Sequence, residues 1–139
     1  MSDPRVSANV HRRSIRAQEI ARELRAELER AYDTHAAATA GKPYATDKLS
    51  IGHRRMKNIC LDYLAALGDA PAAKRAMRQF DRADNMTDRM ASAVCLASME
   101  CAEREQCLAE MHKLAGDDSL SLCKWFAVQA REGQPRVNE

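Results

Sequence analysis

The sequence has few of the residues that break helices or favour β-strands. Its 139 residues include five glycines and four prolines, and only 4% are aromatic. Strand and hairpin signals need turn residues between runs of β-branched or aromatic side chains, so they are nearly absent. Alanine, leucine, methionine, arginine and glutamate, which favour helices, are abundant instead. The composition predicts an all-α protein.

Long apolar runs and an excess of one charge are also lacking. No stretch approaches the roughly 18 to 20 apolar residues of a membrane span, so no membrane association is expected. The 22 basic and 20 acidic side chains nearly cancel. Because few aromatic side chains could stack on bases, nucleic acid is not an expected partner either.

Motifs for catalysis or metal binding are missing as well. The sequence contains no H-E-x-x-H pair, no glycine-rich phosphate loop and no G-x-S-x-G turn. Its four histidines lie on separate predicted elements, where a lone histidine is usually a solvated or capping residue. Its five cysteines form no C-x-x-C pair, which favours packing roles in a reducing compartment and a cytoplasmic location. We predict no catalytic residue, metal ligand or cofactor in this chain.

Hydrophobic periodicity and capping signals divide the chain into helices. We predict one domain with a long helix over about 4–36, a loop over about 38–46, helix pairs over about 47–131 and a polar tail over 132–139. The apolar stripe of the long helix comprises Val10, Ala17, Ala21, Leu24, Leu28 and Ala31. The stripe of the next helix comprises Met56, Ile59, Cys60, Tyr63, Leu64 and Leu67.

Short connections predict antiparallel neighbours among the later helices. Gly68 is placed to end one helix in the left-handed conformation, and Asp69 with Pro71 gives the start signal of the next. Gly116 ends a later helix, and Asp118 or Ser119 caps the last one. Successive antiparallel pairs build either a bundle or a solenoid, and without a strict repeat period the solenoid is an irregular one.

A polar group interrupts the apolar pattern between Phe80 and Met90. Asn85, Thr87 and Asp88 either start a new helix or form a polar site in an apolar groove. Asn85 at the N-cap and Asp88 three residues later would supply acceptors for the unpaired amides of a helix start. We prefer the helix start.

Two basic runs raise the alternative of a phosphate-binding patch. They are "HRRSIR" over 11–16 and "HRRMK" over 53–57. The competing interpretation, which we prefer, is a solvated helix face whose arginines pair with nearby acids such as Glu19 and Asp62. The segment with Leu122, Trp125, Phe126 and Val128 is the most hydrophobic of the chain and predicts burial on more than one side.

Three segments taken in order resemble a known family. They are "GHRRMKNICLDYLAALGDA" over 52–70, "QFDRADNMTDRMASAVCLA" over 79–97 and "LCKWFAVQA" over 122–130. The C-terminal helical domain of the bacterial-type aminopeptidase N family, the alanyl aminopeptidases, is similar to them. That family has a G-R-R-x-x-K-N helix, an N-M-T-D turn and a D-K-W-F helix in this order.

The resemblance implies an ARM/HEAT-like superhelical stack, with this chain as the N-terminal part of that domain. It also implies a scaffold that limits access to the catalytic domain of a parent enzyme, which releases N-terminal residues from peptides. Zinc would be held in the parent by H-E-x-x-H and a glutamate, and a G-A-M-E-N segment would grip the substrate. This chain has none of these motifs. It is therefore expected to have no catalytic activity alone and to interact with peptides only through the parent enzyme.

The resemblance implies structural roles for the positions that match the family's motifs. Asn85 and Asp88 would cap a helix, Trp125 and Phe126 would anchor packing, and Lys124 would be an inter-helix ion partner. The matching positions are Arg54, Arg55, Lys57, Asn58, Asn85, Met86, Thr87, Asp88, Lys124, Trp125 and Phe126. The expected partners are the parent's catalytic domain or further solenoid helices. The alternative function is a free-standing helical-repeat module that binds a protein through Leu122–Val128.

Overall fold

A computed structural model describes residues 4–130, without the side chains of residues 6–14 and 130. The described part contains seven α-helices and no strand, which confirms the all-α prediction. They are α1 Pro4–Glu23, α2 Arg25–Thr39, α3 Lys48–Ala65, α4 Ala70–Arg82, α5 Met86–Ala97, α6 Ala102–Ala115 and α7 Ser119–Ala130. None of these described helices combines the length and apolarity needed to cross a membrane. The predicted polar tail over 132–139 lies outside the described residues.

The helix boundaries follow the capping signals. Four helices begin where a side-chain oxygen accepts a hydrogen bond from a backbone amide three residues later, and the capping residues are Asp47, Asp69, Asn85 and Asp118. Gly68 and Gly116 follow α3 and α6 with φ of 65° and 52°, in the left-handed range that glycine adopts without a steric penalty. The boundary predictions at Gly68, Asp69, Asn85, Gly116 and Asp118 are confirmed.

The predicted long helix is wrong in one respect, because it breaks at Leu24. This residue has φ −106° and ψ 19°, and α2 then continues to Thr39, beyond the predicted end. Leu24 is 46% exposed although it was assigned to the apolar stripe, whereas Ala21 is fully buried. No proline or glycine lies nearby to cause the break. The break separates α1 from α2, and α2 packs along α3 more extensively than α1 does.

The core lies between α2, α3, α4 and α5, and it extends to α6 and α7. Leu61 of α3, Leu96 of α5 and Val128 of α7 are almost completely buried and belong to one hydrophobic cluster. The buried face of α4 contains three alanines besides larger side chains, namely Ala72, Ala73, Ala76, Met77, Gln79 and Phe80. Met77 and Phe80 of α4 belong to the same hydrophobic cluster as these alanines.

The buried face of α3 differs from the predicted stripe. Met56 and Ile59 are 43% and 45% exposed, so their assignment to the core was wrong. Arg54 and Lys57 are each only 7% exposed and take part of the inward face, next to Leu61. Hydrophobic periodicity predicts that lysine and arginine side chains are exposed to solvent. This prediction fails for Lys57 because other helices supply its partners. α3 therefore carries two buried cations against the core.

Candidate functional site

The candidate site centres on Asp88, in the first turn of α5. Asp88 is 5% exposed, and its carboxylate accepts three side-chain hydrogen bonds. Lys57 Nζ donates to Oδ2 at 2.7 Å, Asn58 Nδ2 donates to Oδ1 at 2.9 Å, and Asn85 Nδ2 donates to Oδ2 at 3.1 Å. The structure therefore joins four residues of two distant matching segments through one carboxylate.

Further polar side chains extend this arrangement to α2 and α4. Gln79 Nε2 donates to Asn58 Oδ1 at 2.8 Å and to the Asp88 carbonyl at 3.0 Å. The Tyr32 hydroxyl donates to Gln79 Oε1 at 2.6 Å, and Ser92 Oγ donates to the Asp88 carbonyl at 2.9 Å. We call the whole set the Asp88 network: Tyr32, Lys57, Asn58, Gln79, Asn85, Asp88 and Ser92. It links α2, α3, α4 and α5.

The two interpretations of the polar group at Asn85 are both partly right. Asn85 Oδ1 accepts from the Asp88 amide at 2.9 Å, which confirms the predicted cap. The carboxylate of Asp88 nevertheless turns inward to Lys57, so the helix start is also a buried polar site. Met86 is 41% exposed and Thr87 is exposed, and neither is bonded to the network.

Sequence reasoning missed Tyr32, Gln79 and Ser92. The available signal was at Gln79, which lies among Ala72, Ala76 and Phe80 at helical spacing on the buried face of α4. A polar side chain at a core position must find hydrogen-bond partners inside the protein. The identity of those partners depends on other helices, so this signal could indicate a buried network without naming its members.

Two ionisable groups of the Asp88 network have displaced pKa values. Burial alone would raise the pKa of Asp88, but hydrogen bonds from Lys57, Asn58 and Asn85 and the positive charge of Lys57 outweigh it. The pKa of Asp88 is therefore lowered below 3.8. Burial raises the pKa of Tyr32 to about 12. At neutral pH the network therefore holds an ionised carboxylate and a protonated phenol.

The lowered pKa of Asp88 predicts a loss of stability in acid. Its stabilising contribution is complete above the unfolded value of about 3.9 and is lost as pH falls through the lower folded value. Urea unfolding followed by circular dichroism from neutral pH to about pH 3 measures this slope. The free energy of unfolding of Asp88→Asn should fall less steeply in acid than that of the native chain. Parallel curves for the two proteins would contradict the lowered pKa.

A surface pocket of about 170 Å³ borders the Asp88 network. It lies where the 40–47 connection crosses the start of α3 and the turn before α5. Its lining residues are Ala38, Thr39, Lys42, Pro43, Tyr44, Ala45, Leu49, Ser50, His53, Arg54, Asp84, Asn85 and Asp88. The guanidinium carbon of Arg54 lies 4.7 Å from the centroid of the Tyr44 ring, whereas Arg55 is exposed to solvent. We call this cavity the Arg54 pocket.

Two histidines that were expected to be isolated meet beside the Arg54 pocket. His35 Nδ1 of α2 and His53 Nδ1 of α3 are 2.9 Å apart. A hydrogen bond at this distance requires one ring to donate and the other to accept. The prediction of lone histidines is wrong for this pair, because the packing of α2 on α3 brings together residues 18 positions apart.

The C-terminal matching residues lie on α7. Trp125 is partly buried and donates from Nε1 to the Leu108 carbonyl of α6 at 2.9 Å. Phe126 contacts the Trp125 ring but is 62% exposed. Within the described part of the chain, Lys124 has no ion pair on another helix. Trp125 thus joins α6 to α7, and Phe126 faces solvent.

Nothing in the described residues resembles a metal-hydrolase centre. No group of three or more histidine, cysteine, aspartate or glutamate side chains in residues 4–130 is placed to hold a metal ion. The described residues therefore do not fit the zinc that the resemblance implies for a parent enzyme, and we derive no catalytic step through it. All five cysteines are unpaired. Burial raises the pKa of Cys95 and Cys107 to about 12, and it raises the pKa of Cys60 and Cys101 as well.

The burial of the thiols predicts their reactivity. Cys123 is exposed, whereas Cys60, Cys95 and Cys107 are buried. Because the thiolate is the reactive form, a disulfide reagent should modify Cys123 rapidly and these three only after unfolding. The absorbance of the released reagent measures the number of thiols with and without urea. Cys123→Ser should remove the fast phase, and a fast phase that survives in this variant would contradict the assignment.

Comparison with known proteins places the chain in a family. The model of a family described as "Domain of unknown function (DUF3458_C) ARM repeats" matches residues 2–139. The chain belongs to this family. The match covers the Asp88 network, the Arg54 pocket and α7, and it confirms the expectation of an ARM-type helical domain.

Curated relatives of the chain are named Aminopeptidase N. The chain is 32% identical over 96 residues to one from Caulobacter vibrioides, covering 69% of this chain and 11% of the relative. It is 34% identical over 100 residues to one from Haemophilus influenzae, covering 69% and 11%. It is 31% identical over 139 residues to one from Escherichia coli, covering 99% and 15%. These matches confirm the resemblance to the C-terminal helical domain of aminopeptidase N, and the chain spans 11 to 15% of these relatives.

Proposed function

We propose that this chain is a scaffold and access-limiting segment of a zinc-dependent aminopeptidase that releases N-terminal residues from peptides. The support is its membership in the ARM-repeat domain family and its similarity to proteins named Aminopeptidase N. In this proposal, zinc and substrate are bound elsewhere in the parent enzyme, and the isolated chain is catalytically silent.

The Asp88 network is the structural observation that carries the scaffold role. Lys57, Asn58, Asn85 and Asp88 come from two of the segments that resemble the family, and they meet in one buried cluster. A buried ion pair whose other polar atoms are also bonded favours one arrangement of its helices over alternatives. A segment that limits access to a cavity acts through a fixed arrangement of its helices and does not need reactive groups.

The proposed partners follow from the same support. They are the catalytic domain of the parent enzyme or the remaining solenoid helices, and peptides interact with the chain only through the parent. We also propose a cytoplasmic location, since the five unpaired cysteines are typical of a reducing compartment. Neither membrane nor nucleic acid is a partner in this proposal.

Catalytic silence is tested with the purified chain. Alanine p-nitroanilide is incubated with the 139-residue chain in the presence of added zinc, and released p-nitroaniline is followed by absorbance. No turnover above the buffer blank is expected. Turnover that co-purifies with the chain through two further columns would overturn this part of the proposal. A full-length aminopeptidase serves as the positive control.

The access-limiting role is tested in the longer polypeptide. Asp88→Ala should loosen the helices α2–α5 and raise kcat/KM for a long peptide relative to alanine p-nitroanilide. Asp84→Ala, which changes an exposed acid four residues earlier, is the matched control. An unchanged ratio in Asp88→Ala, with the variant shown to be loosened by hydrogen exchange, would contradict access limitation.

The exposed apolar side chains near the C-terminal helices favour a second candidate, a free-standing helical interaction module. Leu114, Leu120 and Phe126 are 60%, 65% and 62% exposed. A partner that covered these side chains would remove their apolar surface from water. Analytical ultracentrifugation and thermal melting separate the candidates. The module predicts a stable monomer or homodimer that melts cooperatively, whereas a segment of a larger enzyme predicts marginal stability and self-association.

A further inference from the structure

Arg54 is a buried cation for which the described residues provide no acidic partner. The residue is 7% exposed, yet among the described residues no carboxylate pairs with its guanidinium and no oxygen accepts a hydrogen bond from it. Its described contact is with the face of the Tyr44 ring. Burial of a charge is unfavourable unless its donors find acceptors, so the five N–H groups of Arg54 require an acceptor from elsewhere.

The unpaired donors of Arg54 can be reached from its pocket. Arg54 lines the cavity of about 170 Å³. None of its nitrogens belongs to the polar atoms that are both inaccessible to solvent and without a hydrogen-bond partner. A cavity of this size accommodates a small molecule rather than a single water. Because Tyr44 covers one face of the guanidinium, the in-plane N–H groups are the ones left for a ligand.

The other charges of the pocket leave these donors available. Asp88 is engaged by Lys57, Asn58 and Asn85, and Asp84 Oδ1 accepts from Asn85 Nδ2 at 2.7 Å. Lys42, exposed on the 40–47 connection, adds a second cation to the lining. His53 is held by His35 at 2.9 Å. The remaining lining includes apolar side chains such as those of Pro43 and Leu49.

We propose that the Arg54 pocket binds the carboxylate of a small organic acid. The guanidinium of Arg54 donates two parallel hydrogen bonds to the carboxylate oxygens, which is the geometry that arginine and carboxylate share. Lys42 contributes charge at the mouth of the pocket, and Pro43 and Leu49 contact the carbon chain of the acid. The proposal is independent of the proposed function, because the pocket is built wholly from residues of this chain.

Sodium succinate is the probe for this site. It is titrated into the ¹⁵N-labelled chain near neutral pH at constant ionic strength, with sodium chloride as the balancing salt. The Nε–Hε resonance of Arg54 and the backbone amides of residues 49–54 should shift to saturation. Arg54→Gln should weaken binding about tenfold or more, because it removes the paired charged donors. Arg55→Gln removes the same charge from the neighbouring exposed position and should leave binding unchanged.

A second pair of variants keeps Arg54 in place. Ala38→Leu fills the pocket, whereas Ala37→Leu adds the same side chain at an exposed position that does not line it. Circular dichroism confirms that each variant is folded, and the first substitution alone should abolish saturation. Shifts that stay linear in succinate, or that Ala38→Leu and Arg54→Gln leave unaltered, would overturn the proposal. Saturation by inorganic phosphate without saturation by succinate would overturn the assignment to a carboxylate.

Discussion

Replacing Asp88 with alanine is expected to lower the free energy of unfolding by about 3–5 kcal/mol. The substitution leaves Lys57, whose side chain is 9% exposed, without its anion, and it leaves Asn58 Nδ2 without its described acceptor. Asn85 Nδ2 loses one of its two acceptors and keeps Asp84 Oδ1. A buried cation that loses its partner retains its desolvation penalty, and that penalty is the main source of the effect. Urea unfolding at neutral pH, followed by circular dichroism, measures the change.

Two further variants separate the buried pair from other effects of removing an acid. Asp84→Ala should lower the free energy of unfolding by less than about 1 kcal/mol. Asp84 is exposed, and its carboxylate accepts a single described hydrogen bond, from Asn85. Combining Lys57→Met with Asp88→Leu should be less destabilising than the sum of the single changes, since no unpaired charge remains. Equal effects of Asp84→Ala and Asp88→Ala would show that the Asp88 network does not stabilise the fold.

Leu61→Ala is expected to destabilise the chain by about 2–5 kcal/mol, through lost burial and the cavity that it leaves. Leu61 is 0% exposed and belongs to the hydrophobic cluster shared by the helices. Ile59, two residues earlier on α3, is 45% exposed, so Ile59→Ala should change stability by no more than about 1 kcal/mol. Thermal and urea unfolding of both variants measure the difference.

This pair of substitutions also tests how α3 is oriented. Apolar periodicity assigned Ile59 to the core together with Met56, and the structure instead buries Lys57 and Leu61. Both variants replace a large aliphatic side chain with alanine on the same helix, so helix propensity affects them similarly. A larger loss for Ile59→Ala than for Leu61→Ala would mean that α3 presents the face that periodicity predicted.

The features that could be predicted from the sequence are those set by neighbouring residues. Asp69 before Pro71, Gly68 after an apolar stripe and Asn85 three residues before Asp88 each specify a helix end through local hydrogen bonding or backbone geometry. The all-α fold follows from composition in the same way. None of these inferences required knowledge of which helices pack together.

The features that escaped prediction depend on residues distant in sequence. Lys57 is buried because Asp88, 31 positions away, neutralises it, and Gln79 is buried because Tyr32 and Asn58 satisfy its amide. The break at Leu24 has no proline or glycine signal in the sequence, and it separates α1 from α2, which packs more extensively along α3. Hydrophobic periodicity describes average burial on a face, so it fails where a polar network replaces apolar contacts.

The central claim is that this chain functions as part of a longer aminopeptidase, and the size of the native polypeptide tests it most directly. The tryptic peptide "ADNMTDR", residues 83–89, includes Asn85 and Asp88 and can be located by mass spectrometry of gel slices from the source cells. We predict that it is found in a polypeptide several times larger than 15.5 kDa, together with peptides of a zinc-binding catalytic domain. Its recovery only near 15.5 kDa would contradict the claim.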